Sequence, residues 1–180
     1  MATPGVFEVF GELAKLKSES EKVTFLKKWG DNFAIKSILQ GCYNPNVKFL
    51  LPEGSPPYQE NDPTMVETRL YGMSKRFNMF VEGGRNIASQ TKREMLFIEL
   101  LESIHPLDAK IVLNMVAKTD PSEGMTQRIA HLAFPDLIPE PAAVVVEEEV
   151  VEAEVVEAKP KPKAKRKPRA KKAAVKKASK

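Results

Sequence analysis

Five prolines fall between Pro45 and Pro63, in "NPNVKFLLPEGSPPYQENDP", and they limit what this chain can become. Proline lacks the amide N–H and crowds the preceding helical turn, so no long helix crosses the stretch. Within it "VKFLL" is the best strand candidate in the chain, yet no second strand stands ready to pair with it. The segment therefore reads as an extended connector over residues 44–63, laid across helices and held by Phe49, Leu50 and Tyr58.

Both flanks of the connector carry helical signals. Val6, Val9, Phe10 and Leu13 recur at the spacing of one helical face. In "SESEKVTFLKKWG", Ser18 and Glu21 have capping-box spacing, and Gly30 stands where that helix should stop. Phe33, Ile35, Ile38, Leu39 and Cys42 form a third apolar face, closed by Gly41 and Pro45. Beyond the connector, "TMVETRLYGMSKRFNMFVEGG" reads as helical, interrupted near Gly72 and ended by Gly83 and Gly84. "TKREMLFIELLESI" opens with the capping-box pair Thr91 and Glu94, and its apolar residues wrap most of the helix, which predicts burial on several sides. Pro106 fits the first turn of the next helix, whose stripe is Leu107, Ile111, Val112, Met115 and Val116. These two segments should form a central helical hairpin. A short last helix, "MTQRIAHLAF", ends at Pro135. The expected fold is all-α: a compact bundle of about six or seven short helices over residues 4–138.

From about Ile138 the composition collapses to Val/Glu/Ala and then Lys/Ala/Pro, with no aromatic residue and no glycine. Such a segment cannot bury enough apolar surface to offset ordering its backbone, at about 1–2 kcal/mol per residue. An acidic linker, 139–158, and a basic disordered tail, 159–180, are expected. Charge follows the same divisions. Residues 1–139 carry 16 Lys/Arg and 17 Asp/Glu, residues 140–158 seven glutamates, and residues 159–180 twelve bases and no acid. The overall charge of +4 thus describes a tail and not a fold. Cys42 is the single cysteine, so neither an intrachain disulfide nor a cysteine-rich zinc site can form. No apolar run approaches the roughly 18–20 residues that span a bilayer, and no secretory leader is evident, so a soluble, intracellular protein without membrane contact is expected.

Titratable groups in the body offer little chemistry. His105, before Pro106, reads as a helix cap or exposed turn, and His131 as a packing residue on a short helix. Cys42, on an apolar face, reads as a small core residue. "EGGRN", Glu82 to Asn86, could offer backbone amides to a phosphate, but it lacks a P-loop's lysine and strand and reads better as a turn. Lys75, Arg76, Arg85, Lys92 and Arg93 could make a basic face flanked by Tyr71 and Phe77, against the plainer reading of a solvated surface. No catalytic residue, metal site or cofactor is expected.

At "TKREMLFIELLESIHPLDAKIVLNMVAKT", followed by "AFPDLIP", the chain is similar to a family of small uncharacterised proteins of large tailed bacteriophages, including those of cyanobacteria. "FLKKWGDNFAIKSILQGCYNPNVKFLLPEGSPPYQEND" matches the same pattern, and the resemblance spans about residues 6–138. It implies one compact domain and a phage context, hence the host cytoplasm, and brings no activity with it. The tail lies outside it.

The tail has its own physics. Lys159, Lys161, Lys163, Lys165, Arg166, Lys167, Arg169, Lys171, Lys172, Lys176, Lys177 and Lys180 are spaced by alanine and proline. An extended polycation of this kind tracks phosphates and releases condensed counterions. No rigid element presents its few arginines to base edges, so binding to nucleic acid, DNA first, should be sequence-independent. The glutamates of 140–158 could compete for the tail, though twelve positive charges exceed what seven negative ones neutralise. The expected function is a non-enzymatic accessory protein: the tail holds nucleic acid and the helical domain docks on a protein partner or on itself. The alternatives are a virion or assembly component, and a host-takeover interaction module whose tail serves solubility.

Overall fold

A computed structural model describes residues 3–66, 69–85, 87 and 89–141, all within one compact unit. The expected acidic linker beyond residue 141 and the whole basic tail lie outside the described residues. The fold is all-α. Among the described residues there are seven α-helices and no strand: α1 (Val6–Lys15), α2 (Glu19–Lys28), α3 (Phe33–Tyr43), α4 (Arg69–Met73), α5 (Gln90–Ser103), α6 (Pro106–Val116) and α7 (Gln127–Ala133). None among the described residues is long and apolar enough to cross a membrane.

The first face forms as its spacing predicts: Val6, Val9, Phe10 and Leu13 of α1 are all buried. α2 begins after Ser18, but no capping box forms there. The Ser18 hydroxyl lies 2.8 Å from that of Ser20 and caps no amide. α3 starts at Asn32, whose side-chain oxygen accepts from the amides of Ala34 and Ile35 at 3.0 and 3.3 Å. Its inner face is Ile35, Ile38, Leu39 and Cys42, while Phe33, in the first turn, is 58 % exposed and does not join them. Gly41 is not a terminator either. It sits inside α3, where an added Cβ would collide with Cγ and Sδ of Met115 on α6.

The connector carries one isolated antiparallel bridge. The amide of Leu50 donates to Phe80 O at 2.7 Å and that of Glu82 donates to Lys48 O at 2.8 Å, pairing Phe49 with Val81. The partner that "VKFLL" lacked in sequence is a single residue beyond α4. Phe49 and Tyr58 pack on the core as anchors, but Leu50 is exposed and Leu51 takes its place. Between α4 and the bridge the chain tightens into a 3-10 turn, Ser74–Met79, that buries Phe77 and Ser74.

α5 starts earlier than its letters suggest. Ser89 is the N-cap, accepting from the Lys92 amide at 3.4 Å, and the Glu94 carboxylate instead takes a bond from Gln90 at 2.9 Å. Nor is α5 buried on several sides. Phe97, Leu100 and Leu101 go inward, at helical spacing, whereas Met95 is 66 % exposed. α5 and α6 pack together as the expected hairpin, and α6 also packs on α1 and α3. Ile111, Val112 and Met115 form its buried stripe, with Leu107 turned out at 46 % exposure. α7 closes the bundle against α2 and α3.

Two helical glycines separate propensity from packing. Gly11 in α1 has open space around its missing Cβ, so Gly11→Ala should raise stability by about 0.5–1 kcal/mol. Gly41→Ala gains the same propensity but forces Met115 aside and should cost about 1–3 kcal/mol net. Urea unfolding of the two variants checks this opposite sign.

Candidate functional site

The twelve basic residues from Lys159 to Lys180, where sequence places the binding chemistry, lie outside the described residues. Within the domain, the other candidates resolve into local roles. His105 is the N-cap of α6: its Nδ1 accepts from the Leu107 amide at 3.1 Å, and its ring stacks on Phe7 at 4.0 Å. His131 is half-buried, with Nδ1 2.8 Å from Ile138 O. Burial pushes the Cys42 thiol up to about 12, which leaves it inert as a nucleophile at neutral pH. In the Glu82–Arg85 turn, the Gly84 amide donates to Val81 O at 3.2 Å and the Arg85 amide to Asn78 O at 2.9 Å. Those two amides are committed to the turn, and Asn86 lies outside the described residues.

Four of the five bases of the supposed basic face have separate surroundings. Arg76 pairs with Glu99 at 3.3 Å. Arg93 donates to Ile87 O at 2.8 Å and to the Gln90 side chain. Lys75 borders a cleft with Phe33 and Gln40, and Lys92 a different groove on α5. Phe77 is largely buried in the core, though it lines the cleft beside Lys75, and the Tyr71 hydroxyl is bonded to Pro4 O at 2.7 Å.

Two clusters that sequence reasoning missed carry buried, perturbed groups. In the first, Asp108 of α6 is wholly buried against the start of α1. Its Oδ1 accepts from the Phe7 amide at 2.8 Å, one of the first amides of α1 that no helical carbonyl can reach. Glu8 does the same for the Gly5 amide at 2.7 Å. Oδ2 of Asp108 has no hydrogen-bond partner among the described residues. Burial, reinforced by the nearby Glu8 charge and opposed by the Phe7 bond, pushes the Asp108 carboxyl up from 3.8 to about 7. The only signal in sequence was an acid in the first turn of a helix, which is common enough to pass as a dipole effect.

The second cluster closes α6 onto α3. After Val116 the helix ends in a Schellman motif: Lys118 donates its amide to Met115 O at 3.2 Å and Thr119 to Asn114 O at 2.9 Å. That motif needs a left-handed residue, usually glycine, and here Lys118 has φ of 57°. Its side chain explains the choice. The ammonium donates to Gly41 O at 2.5 Å and Asn44 O at 3.0 Å, capping the C-terminal end of α3, and lies 5.3 Å from the centre of the Phe49 ring. Burial lowers the Lys118 pKa. Beside it the Tyr43 hydroxyl donates to Asp120 at 2.8 Å, and burial together with that bond pushes its pKa up.

Lys118 stands at the edge of a cleft of about 660 Å³ between the connector and the end of α6, walled by Phe49, Leu51, Pro52, Leu113 and Val116. The wall is mixed in polarity, and two of the three Lys118 ammonium protons are already held by carbonyls. Glu53, Ser55 and Asn114 also line the cleft, beside the apolar side chains. Among the described residues no group of three or more His, Cys, Asp or Glu could hold a metal ion.

These features can now be set beside known proteins. A family model, DUF6433, described as a family of unknown function, matches residues 9–120. The chain belongs to this family. The DUF6433 match begins inside α1 and stops at Asp120, so it takes in Asp108, Lys118 and the connector and leaves out α7 and the tail. No curated protein matches the chain.

Two measurements test the clusters. Folding raises the Asp108 pKa, so the native state binds its proton more tightly than the unfolded state does. Its contribution is therefore complete below about pH 4 and is lost as pH rises to about 7, at no more than about 1.4 kcal/mol per pH unit. Asp108→Asn keeps an acceptor for Phe7 and cannot ionise. It should gain on the wild type steadily from pH 4 to 7 and hold that gain at pH 8 in thermal melts. At Lys118, Ala keeps the left-handed strain and loses the cap, whereas Gly loses only the cap. Lys118→Ala should be less stable than Lys118→Gly by about 1 kcal/mol, with both below wild type in chemical denaturation.

Proposed function

We propose that this DUF6433 protein is a non-enzymatic phage accessory protein. Its tail binds nucleic acid without sequence preference while its helical domain docks on a protein. It acts in the cytoplasm of an infected bacterium. The observation that carries the reading is the charge of the last 22 residues: twelve bases, no acid, and spacing by alanine and proline. Lysines gain affinity by displacing condensed counterions, and that gain needs no shaped site. The phage context rests on the resemblance of the Lys-Arg-Glu segment and the connector to phage-encoded proteins. A binding role also agrees with the domain's own chemistry, in which Asp108, Lys118, His105 and Cys42 are each absorbed by packing or capping. Tethering follows: a tail on DNA raises the local concentration of whatever the domain holds.

The test is a salt titration on duplex DNA, single-stranded DNA and RNA, with the full chain and with a chain ending at residue 139. The full chain should show a log–log slope equivalent to on the order of 5–10 phosphates, and truncation should remove it. Equal affinity of the two chains would sink the assignment. Deleting residues 140–158 should tighten binding at low salt if the glutamates there compete for the tail.

A further inference from the structure

α5 has two characters. One side is core, through Phe97, Leu100 and Leu101. The other borders a groove of about 550 Å³ in which Met95, 66 % exposed, lies with the half-buried Leu96 and Ile98. Lys92 stands at the N-terminal end of this groove, and Glu99 and Glu102 stand toward its C-terminal end. This order opposes the helix's own field. The N-terminal end of a helix favours anions and the C-terminal end cations, yet α5 has no acid in its first turn and no base in its last. The charges are therefore placed at a cost to α5 alone.

They become favourable against an antiparallel copy. Residues 92 and 102 lie five positions either side of 97, so reversing α5 about that point sets each Lys92 opposite a Glu102. The same reversal lays the two helix dipoles head to tail. It also brings the apolar middle of the groove onto itself, as a two-fold, self-complementary contact requires. We propose that α5 is a self-association surface: two copies of the chain pair α5 against α5 antiparallel. Met95 and Ile98 meet at the centre, and Lys92 of each copy faces Glu99 and Glu102 of the other. Both carboxylates already hold one partner, Arg76 for Glu99 and the Gln59 amide for Glu102, and each keeps free lone pairs for a second. A helix of 14 residues is about 21 Å long, so one helix pair makes a contact at the small end of stable interfaces. Association in about the micromolar range is expected. Nothing in this depends on what the tail binds.

Sedimentation equilibrium of the full chain across the micromolar range tests the proposal. The wild type should show a monomer–dimer equilibrium, and Met95→Asp, at an exposed position, should be monomeric. Lys92→Glu alone sets acid against acid, and Glu99→Lys with Glu102→Lys sets base against base. Each variant should weaken dimerisation by about tenfold or more. An equimolar mixture of the two restores opposite charges at both ends of the contact and should dimerise again. If the double variant fails to fold by circular dichroism, Met95→Asp and Lys92→Glu decide the matter. A wild type that stays monomeric would overturn the proposal. So would a dimer indifferent to Met95→Asp, or two charge variants that do not rescue each other.

Discussion

The seam between α3 and α6 is the contact from which the rest of the domain is hung, and it exists because α3 has no side chain at Gly41. Met115 fills that space, which brings the two helices close enough for Lys118 to reach across. Its ammonium satisfies carbonyls that α3 could not satisfy itself, and its charge gives the Phe49 ring a place to settle. With Phe49 placed, the proline-rich connector has a fixed path, and the bridge to Val81 ties that path to the 3-10 turn beyond α4. A missing methyl group thus sets the course of some forty residues.

What was legible in the sequence follows from which forces act locally. The buried face of α1, the proline in the first turn of α6 and the His105 cap all depend on residues within a turn of one another, and all were readable. The capping boxes failed although their spacing matched, because nearer competitors existed: the Ser20 hydroxyl for Ser18, and Ser89 as an earlier start for α5. The apolar count of α5 was read as burial all round, but periodicity does not say which faces have neighbours, and the bundle covers only one. Asp108 and Lys118 were invisible for a related reason. Each serves the end of a different helix, 101 and 77 residues away in sequence. A lysine in glycine's place at a helix end makes sense only once its target is known.

Charge divides the molecule more sharply than fold does. The body through residue 139 is close to neutral, and its perturbed carboxyl, ammonium and thiol are all turned to internal use. The excess positive charge lies beyond it in sequence, in the twelve bases from Lys159 to Lys180. A chain built this way can change its electrostatic partners by altering the tail while the packing of the bundle stays as it is.

The bond between Phe7 and Asp108 also sets a timetable. α1 is made before α6: the carboxylate that caps it is made 101 residues later, and the His105 ring that covers Phe7 arrives only just before. At about 5–20 residues per second, the ribosome leaves the apolar face of α1 without its seat for roughly 5–20 seconds. A short helix is marginal in water over that interval. The segment that carries α1 therefore waits for its seat, and the domain can close only when α6 has emerged.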